Sequence, residues 1–122
     1  MKRGKKVLVV DDERGIRLLL SEALSSEGFE VRSAKDGQES LEVLKKEHFD
    51  LVVTDINMPR LDGVGMLKSM QKGGRKEKVI IMTGNPSEKS LSHEGITNVV
   101  RSIMKPFEMD YFVNLVTEVT AQ

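Results

Sequence analysis

Short runs of apolar residues alternate along the chain with longer segments in which apolar residues recur every three or four positions. The short runs are typical of strands buried in a parallel sheet, and the longer segments are typical of amphipathic helices. Strands are predicted at residues 6–10, 29–33, 51–54, 79–82 and 99–104. This alternation predicts an α/β fold with a five-stranded, doubly wound parallel sheet in the flavodoxin-like strand order 2-1-3-4-5.

Five helices are expected around this sheet, at residues 14–27, between 36 and 49, from 62 to about 71, within 86–94, and from about 107 to 119. Gly28 is the expected end of the first helix, and Asp36 and Glu39 have the spacing of a capping box. Leu91 is the only apolar side chain expected to pack in the fourth helix, which should therefore be short or irregular. The basic loop at residues 72–78 is expected to be a solvated connection.

Polar residues stand where four of the predicted strands end: Asp11 and Asp12, Asp55, Thr83, and Lys105. In open α/β sheets the ligand crevice lies outside the carboxyl ends of the strands. We therefore expect these side chains to meet at one edge of the sheet. Three carboxylates at close quarters repel one another unless one is protonated or a cation joins them.

Mg²⁺ is the cation that suits this set best, because the ligands are oxygens and no histidine is near in sequence. A metal, a lysine and a hydroxyl around a carboxylate are what phosphoryl transfer needs. Asp55 is the predicted nucleophile, since it stands alone at the end of the central strand. The adjacent pair Asp11 and Asp12 is better suited to holding the ion. Read in isolation, however, that pair would be taken for the N-cap of the first helix.

The composition narrows the class of protein. The 122 residues are enough for one domain, predicted to span 1–122, and the absence of cysteine excludes disulfides and thiolate metal sites and favours a cytoplasmic setting. Nineteen basic and nineteen acidic residues give a net charge of zero, which recommends neither a nucleic acid nor a membrane surface as partner. No apolar run is long enough for a transmembrane span. His48 and His93 lack partners at metal-ligand spacing and are expected to be surface residues.

The chain resembles the receiver domain of two-component response regulators, the CheY-like family. The resemblance rests on four segments in register, VLVVDDE, VVTDINMPRLDG, MTG and MKPF, and covers essentially the whole chain. It implies that Asp55 accepts a phosphoryl group from a histidine on a partner kinase. It also implies that Asp12, Asp55 and the backbone carbonyl of Asn57 bind Mg²⁺ directly, with Asp11 acting mostly through water.

The same resemblance implies roles for two further residues. Lys105 would meet the phosphoryl oxygens as a point charge, with a cis peptide bond before Pro106, and Thr83 would be the switch hydroxyl. The implied partners are a sensor histidine kinase or phosphotransfer protein, a downstream effector protein, and on activation a second copy of the chain. The chain would be no enzyme beyond catalysing its own phosphorylation and dephosphorylation.

One position departs from the family pattern. Ser102 stands where most receivers carry an aromatic residue three positions before the lysine, so an aromatic rotamer switch is excluded. We expect phosphorylation to order residues 85–98 instead. Two other functions stay open: a pseudo-receiver that docks proteins without phosphorylation, and a Mg²⁺-dependent phosphohydrolase. The phosphohydrolase is disfavoured because the chain lacks an Asp-x-Asp motif after the first strand and a substrate cap.

Overall fold

A five-stranded parallel sheet forms the centre of the protein in the computed structural model, which describes residues 4–56, 63–84 and 98–121. The strands are β1 (Lys6–Val10), β2 (Glu30–Ala34), β3 (Leu51–Asp55), β4 (Lys78–Thr83) and β5 (Val99–Met104). Their spatial order is β2-β1-β3-β4-β5, which confirms the predicted sheet and strand order. The sheet is parallel throughout, so all five carboxyl ends lie along the same edge.

Four helices lie within the described ranges: α1 (Arg14–Ser26), α2 (Gly37–Lys46), α3 (Gly63–Lys72) and α4 (Met109–Thr120). Gly28 has a φ of 97° and follows α1, as the predicted stop requires. Asp36 Oδ1 accepts from the amide of Glu39 at 2.8 Å, which confirms the cap of α2. The Glu39 carboxylate accepts from the amide of Lys35 at 2.9 Å, one residue earlier than in a standard capping box. The predicted helix at 86–94 lies outside the described residues.

Two apolar layers cover the sheet, one on each face. Alternate residues of β1 point into different layers: Leu8 and Val10 pack with residues of α2 and α3, whereas Val7 and Val9 pack with residues of α1 and α4. This double burial explains why the central strands read as unbroken apolar runs. The edge strands β2 and β5 are more exposed and more polar, and Ser102 on β5 is exposed.

The loop at 72–78 corrects one expectation, because part of it is buried and bonded. The Arg75 guanidinium donates to the carbonyls of Leu44 and Glu47 at 2.6 and 2.9 Å, and it pairs with the Glu77 carboxylate. Glu77 has a side chain only 4% exposed and also accepts from the amide of Phe49 at 3.2 Å. Arg75 thus satisfies carbonyls at the end of α2 that the helix leaves without partners. Lys72, Gly73, Gly74 and Lys76 are exposed as expected, but Arg75 and Glu77 join the end of α2 to the start of β4.

Replacing Arg75 by Met should lower the free energy of unfolding by about 2–4 kcal/mol, because the buried Glu77 carboxylate loses its charge partner. Urea denaturation near neutral pH measures the change. The matched control is Arg101→Met, which removes an ion pair with Glu118 whose two side chains are about half exposed. That control should cost less than about 1 kcal/mol. Equal losses in the two variants would show that the pairing of Arg75 with Glu77 contributes no more than a surface pair.

Candidate functional site

Three carboxylates meet at the edge of the sheet formed by the carboxyl ends of the strands. Asp11 directly follows β1 and is fully buried, Asp55 is the last residue of β3 and is 8% exposed, and Asp12 is exposed. Each offers a carboxylate oxygen, and these oxygens lie within 4.8 Å of one another. The predicted convergence of the three acids is therefore present in the structure. Neighbouring parallel strands bring it about, because β1 and β3 pair in register up to Val10 and Thr54.

Lys105 reaches this cluster from the end of β5. Its amide donates to the Thr83 carbonyl at 2.8 Å, and its side-chain Nζ lies 2.8 Å from Asp11 Oδ2 and 3.2 Å from Asp55 Oδ2. The peptide bond to Pro106 is cis, as the resemblance implied. Burial by itself lowers the pKa of Lys105, but the hydrogen bond and charge of Asp11, and then the charge of Asp55, outweigh it and raise the pKa above its usual value. The ammonium group is therefore charged throughout the neutral range.

The Asp11 side chain is held by two separate contacts. Its Oδ2 accepts from Lys105, and its Oδ1 accepts from the amide of Glu13 at 2.9 Å. The N-cap residue of α1 is Glu13, which forms no side-chain capping bond, so neither Asp11 nor Asp12 is the cap of this helix. The alternative interpretation of Asp11 and Asp12 as an ordinary helix cap is thus wrong. Three carboxylates and one ammonium give these four side chains a formal charge of minus two.

Thr83 and the remaining candidate residues take the following places. Thr83 is the last residue of β4 and is 5% exposed, next along the chain to Met82, which pairs with Asp55 in the sheet register. The His48 side chain is 90% exposed, which confirms it as a surface residue. Asn57, His93 and the segment 85–97 lie outside the described residues.

Gly63 also contributes to the site, by allowing a close approach of two backbone segments. It begins α3, and its amide donates to the carbonyl of Ile56 at 3.0 Å, so the start of α3 lies directly against the end of β3. A Cβ atom at Gly63 would lie 2.5 Å from the carbonyl oxygen of Asp55 and 2.7 Å from the Cα of Ile56. Only glycine fits there without displacing the backbone that carries Asp55. In the sequence, this close approach is indicated by a glycine at the first residue of a helix.

These features define a class of protein: a doubly wound α/β domain with an acidic crevice and a lysine at the carboxyl ends of its strands. Comparisons with known proteins identify the family. The protein-family model described as the response regulator receiver domain matches residues 7–117 of this chain. Sporulation initiation phosphotransferase F of Bacillus subtilis (strain 168) is 35% identical over 107 residues, which cover 88% of this chain and 86% of that protein.

A solved structure and a longer relative agree with this match. The response regulator protein TrrA of Thermotoga maritima, solved in complex with Mg²⁺-BeF, has a TM-score of 0.82 and 32% identity, covering 94% of this chain and 98% of that one. Regulatory protein AtoC of Escherichia coli (strain K12) is 33% identical over 113 residues, or 93% of this chain but only 24% of AtoC. The chain belongs to the response regulator receiver domain family and is a phosphoacceptor signalling domain. None of the helices described in 4–56, 63–84 and 98–121 could cross a membrane.

Substituting Gly63 by Ala should lower the free energy of unfolding by about 1–3 kcal/mol, because the methyl group meets backbone atoms that cannot turn away. Gly15→Ala is the matched control, since Gly15 lies in α1 and nothing lies within 4 Å of its Cβ position. That control should leave stability unchanged or raise it by about 0.5–1 kcal/mol. Urea denaturation compares the two. A Gly63→Ala protein as stable as the control would contradict the close approach of α3 to Asp55.

Proposed function

We propose that Asp55 accepts a phosphoryl group from a phosphohistidine on a partner protein, in a reaction that uses Mg²⁺. The observation that carries this proposal is the position of Lys105 Nζ, which bridges Asp11 and Asp55 inside the three-carboxylate cluster. A half-buried ammonium at this point can neutralise phosphoryl oxygens without a change in protonation. The chain acts as no enzyme on other substrates and catalyses only its own phosphorylation and dephosphorylation.

The chemical step joins a carboxylate oxygen of Asp55 to the phosphorus atom. The phosphorus–nitrogen bond of the donor histidine breaks, and its electron pair stays on the imidazole nitrogen. The product is an acyl phosphate on Asp55 and a free histidine on the donor, so atoms and electrons balance. Lys105, 3.2 Å from Asp55 Oδ2, is placed to pair with the oxygens of the new phosphoryl group.

The donor set fits Mg²⁺. All candidate ligands are oxygens, and the formal charge of minus two at the cluster is the one that a divalent cation neutralises. Both Asp11 oxygens already accept hydrogen bonds, which supports a water-mediated role for Asp11. Direct ligation by Asp12 and Asp55 is what the family resemblance implies. Asn57 would supply a backbone carbonyl. When bound, Mg²⁺ neutralises the oxygens of the phosphoryl group.

The signal would leave the site through Thr83 and the strand ends next to it. The Thr83 carbonyl accepts from the Lys105 amide, so the ends of β4 and β5 are joined beside the phosphoacceptor. In this proposal the Thr83 hydroxyl moves towards the phosphoryl group and changes the surface offered to an effector protein or a second copy of the chain. An aromatic switch has no part in it, because position 102 on β5 holds an exposed serine instead of an aromatic residue.

Incubation with acetyl phosphate and Mg²⁺ should add one phosphoryl group to the chain, measured by intact mass. Asp55→Asn should abolish the gain, because its amide is not a nucleophile for phosphorus. Asp50→Asn is the matched control: Asp50 lies just before β3, where its carboxylate accepts from the amide of Lys6 at 2.8 Å, and its loss should leave the gain intact. Absence of a Mg²⁺-dependent gain in the unmodified chain would favour a pseudo-receiver that docks proteins without phosphorylation.

An apolar groove beside the site supports a protein donor. A cavity of about 360 Å³ separates α1 from the segment that follows β5, and its lining includes Lys105 itself. Leu19 of α1 lines the groove and is 55% exposed. The other apolar lining residues are Ile16, Leu20, Pro106, Phe107 and Met109. A sensor kinase or phosphotransfer protein that packs an apolar side chain here would bring its histidine close to Asp55.

Leu19→Glu should slow phosphoryl transfer from a protein donor at least about tenfold, because it places a charge in the centre of the proposed contact. The donor is found by incubating the chain with each purified, radiolabelled histidine kinase of the source genome. Leu18→Glu is the matched control, since Leu18 is 49% exposed on the same helix but does not line the groove. Labelling by acetyl phosphate should be equal in all three proteins. A Leu19→Glu protein that accepts from the kinase at the normal rate would contradict docking in this groove.

A further inference from the structure

Arg17 contacts the backbone of the site from within α1. Its Nη1 donates to the carbonyl oxygen of Asp11 at 2.7 Å, across six residues of sequence. The side chain is half-buried, and it meets a residue whose own exposure is zero. Nothing in the proposed phosphoryl transfer uses this guanidinium directly, since it bonds to a peptide carbonyl.

The Asp11 carbonyl lies just beyond the sheet. The β1 ladder ends at Val10, which pairs with Ala34 on one side and Thr54 on the other. The Asp11 amide still donates to the Ala34 carbonyl at 3.2 Å, but the chain then turns towards α1. A buried carbonyl that has left the ladder needs a donor from elsewhere, and Arg17 supplies it.

The peptide group that Arg17 holds is the one that joins Asp11 to Asp12. Because a peptide group is planar, fixing its carbonyl oxygen also fixes the direction in which the chain enters Asp12. The usual alternative, a side-chain cap at the start of α1, is missing at Glu13. The hydrogen bond from the Glu13 amide to Asp11 Oδ1 is the other tie across this turn.

We propose that Arg17 is a positioning residue that aims the Asp12 carboxylate into the cation site. This inference rests on the proposed function, because it gives Asp12 a role as a cation ligand. Arg17 touches neither phosphoryl group nor cation in the proposal and acts only through the peptide group between the two acids. Its charge would, if anything, oppose a cation bound nearby.

Charge and positioning thus predict opposite effects when Arg17 is replaced. Removing a positive charge near a cation site should tighten cation binding, whereas loosening the turn should weaken it. We therefore expect Arg17→Met to weaken Mn²⁺ binding by about tenfold, at the lower end of the range for residues that orient metal ligands. Mn²⁺ is a suitable probe because it prefers the same oxygen ligands as Mg²⁺. The loss of the free-ion signal in electron paramagnetic resonance measures its affinity without any phosphorylation.

Arg14→Met is the matched control, because Arg14 is an exposed arginine at the start of the same helix. It removes the same charge and should leave Mn²⁺ affinity equal or up to about twofold tighter, since an exposed charge is largely screened by salt. Weaker binding in Arg17→Met alone supports the inference. Equal affinities in the two variants overturn it. Failure of the unmodified chain to bind Mn²⁺ would contradict the proposed cation site as well, which separates the two failures.

Circular dichroism on each variant checks that the fold is kept. If Arg17→Met does not fold, Arg17→Lys decides the question, because it keeps the charge but replaces the planar guanidinium by a single ammonium donor. Weaker Mn²⁺ binding than in the unmodified chain is again expected. An affinity equal to that of the unmodified chain, or tighter, overturns the inference.

Discussion

The rest of the site depends on one constraint, the repulsion among three carboxylates that a parallel sheet brings to a single edge. Asp11 directly follows β1, Asp55 is the last residue of the neighbouring strand β3, and Asp12 comes directly after Asp11. The proximity of the three carboxylates therefore results from the topology. Lys105 relieves part of the repulsion by bridging the two buried acids. Lys105 follows β5, a strand at one edge of the sheet, so its two ion pairs also link β5 to β1 and β3. Lys105 thus links three strands of the sheet, and in the proposed function it also pairs with the phosphoryl oxygens.

Much of this arrangement could be predicted from the sequence because it follows from the periodicity of apolar residues. Unbroken apolar runs such as Leu51–Val53 identify strands buried on both faces, and parallel strands place their ends together. The sequence alone therefore predicted the strand order β2-β1-β3-β4-β5. It also predicted that Asp11, Asp55 and Lys105 lie close together.

Three features could not be predicted from the sequence, because each depends on a contact with backbone atoms outside its own helix or loop. Arg75 and Glu77 look like residues of a solvated loop until α2 presents two carbonyls to the guanidinium. Gly63 looks like an ordinary turn residue until the end of β3 is found against it. In the sequence, Arg17 looks like any other charged residue of a helix. Its hydrogen bond to the Asp11 carbonyl depends on the turn that precedes α1. Periodicity carries no information on such contacts, because they join polar groups to backbone atoms.

The backbone contacts around Asp55 bear on how a phosphoryl group would be sensed. The Gly63 amide bonds to the Ile56 carbonyl just after β3, and Arg17 bonds to the Asp11 carbonyl just after β1, so each of these strand ends is bonded to a helix. The Lys105 ammonium, by contrast, divides its hydrogen bonds between Asp11 and Asp55. In the proposed function, a dianionic phosphoryl group on Asp55 would compete with Asp11 for that ammonium, and the larger charge would attract it more strongly. Because the Lys105 amide is bonded to the Thr83 carbonyl, such a redistribution would act on the ends of β4 and β5.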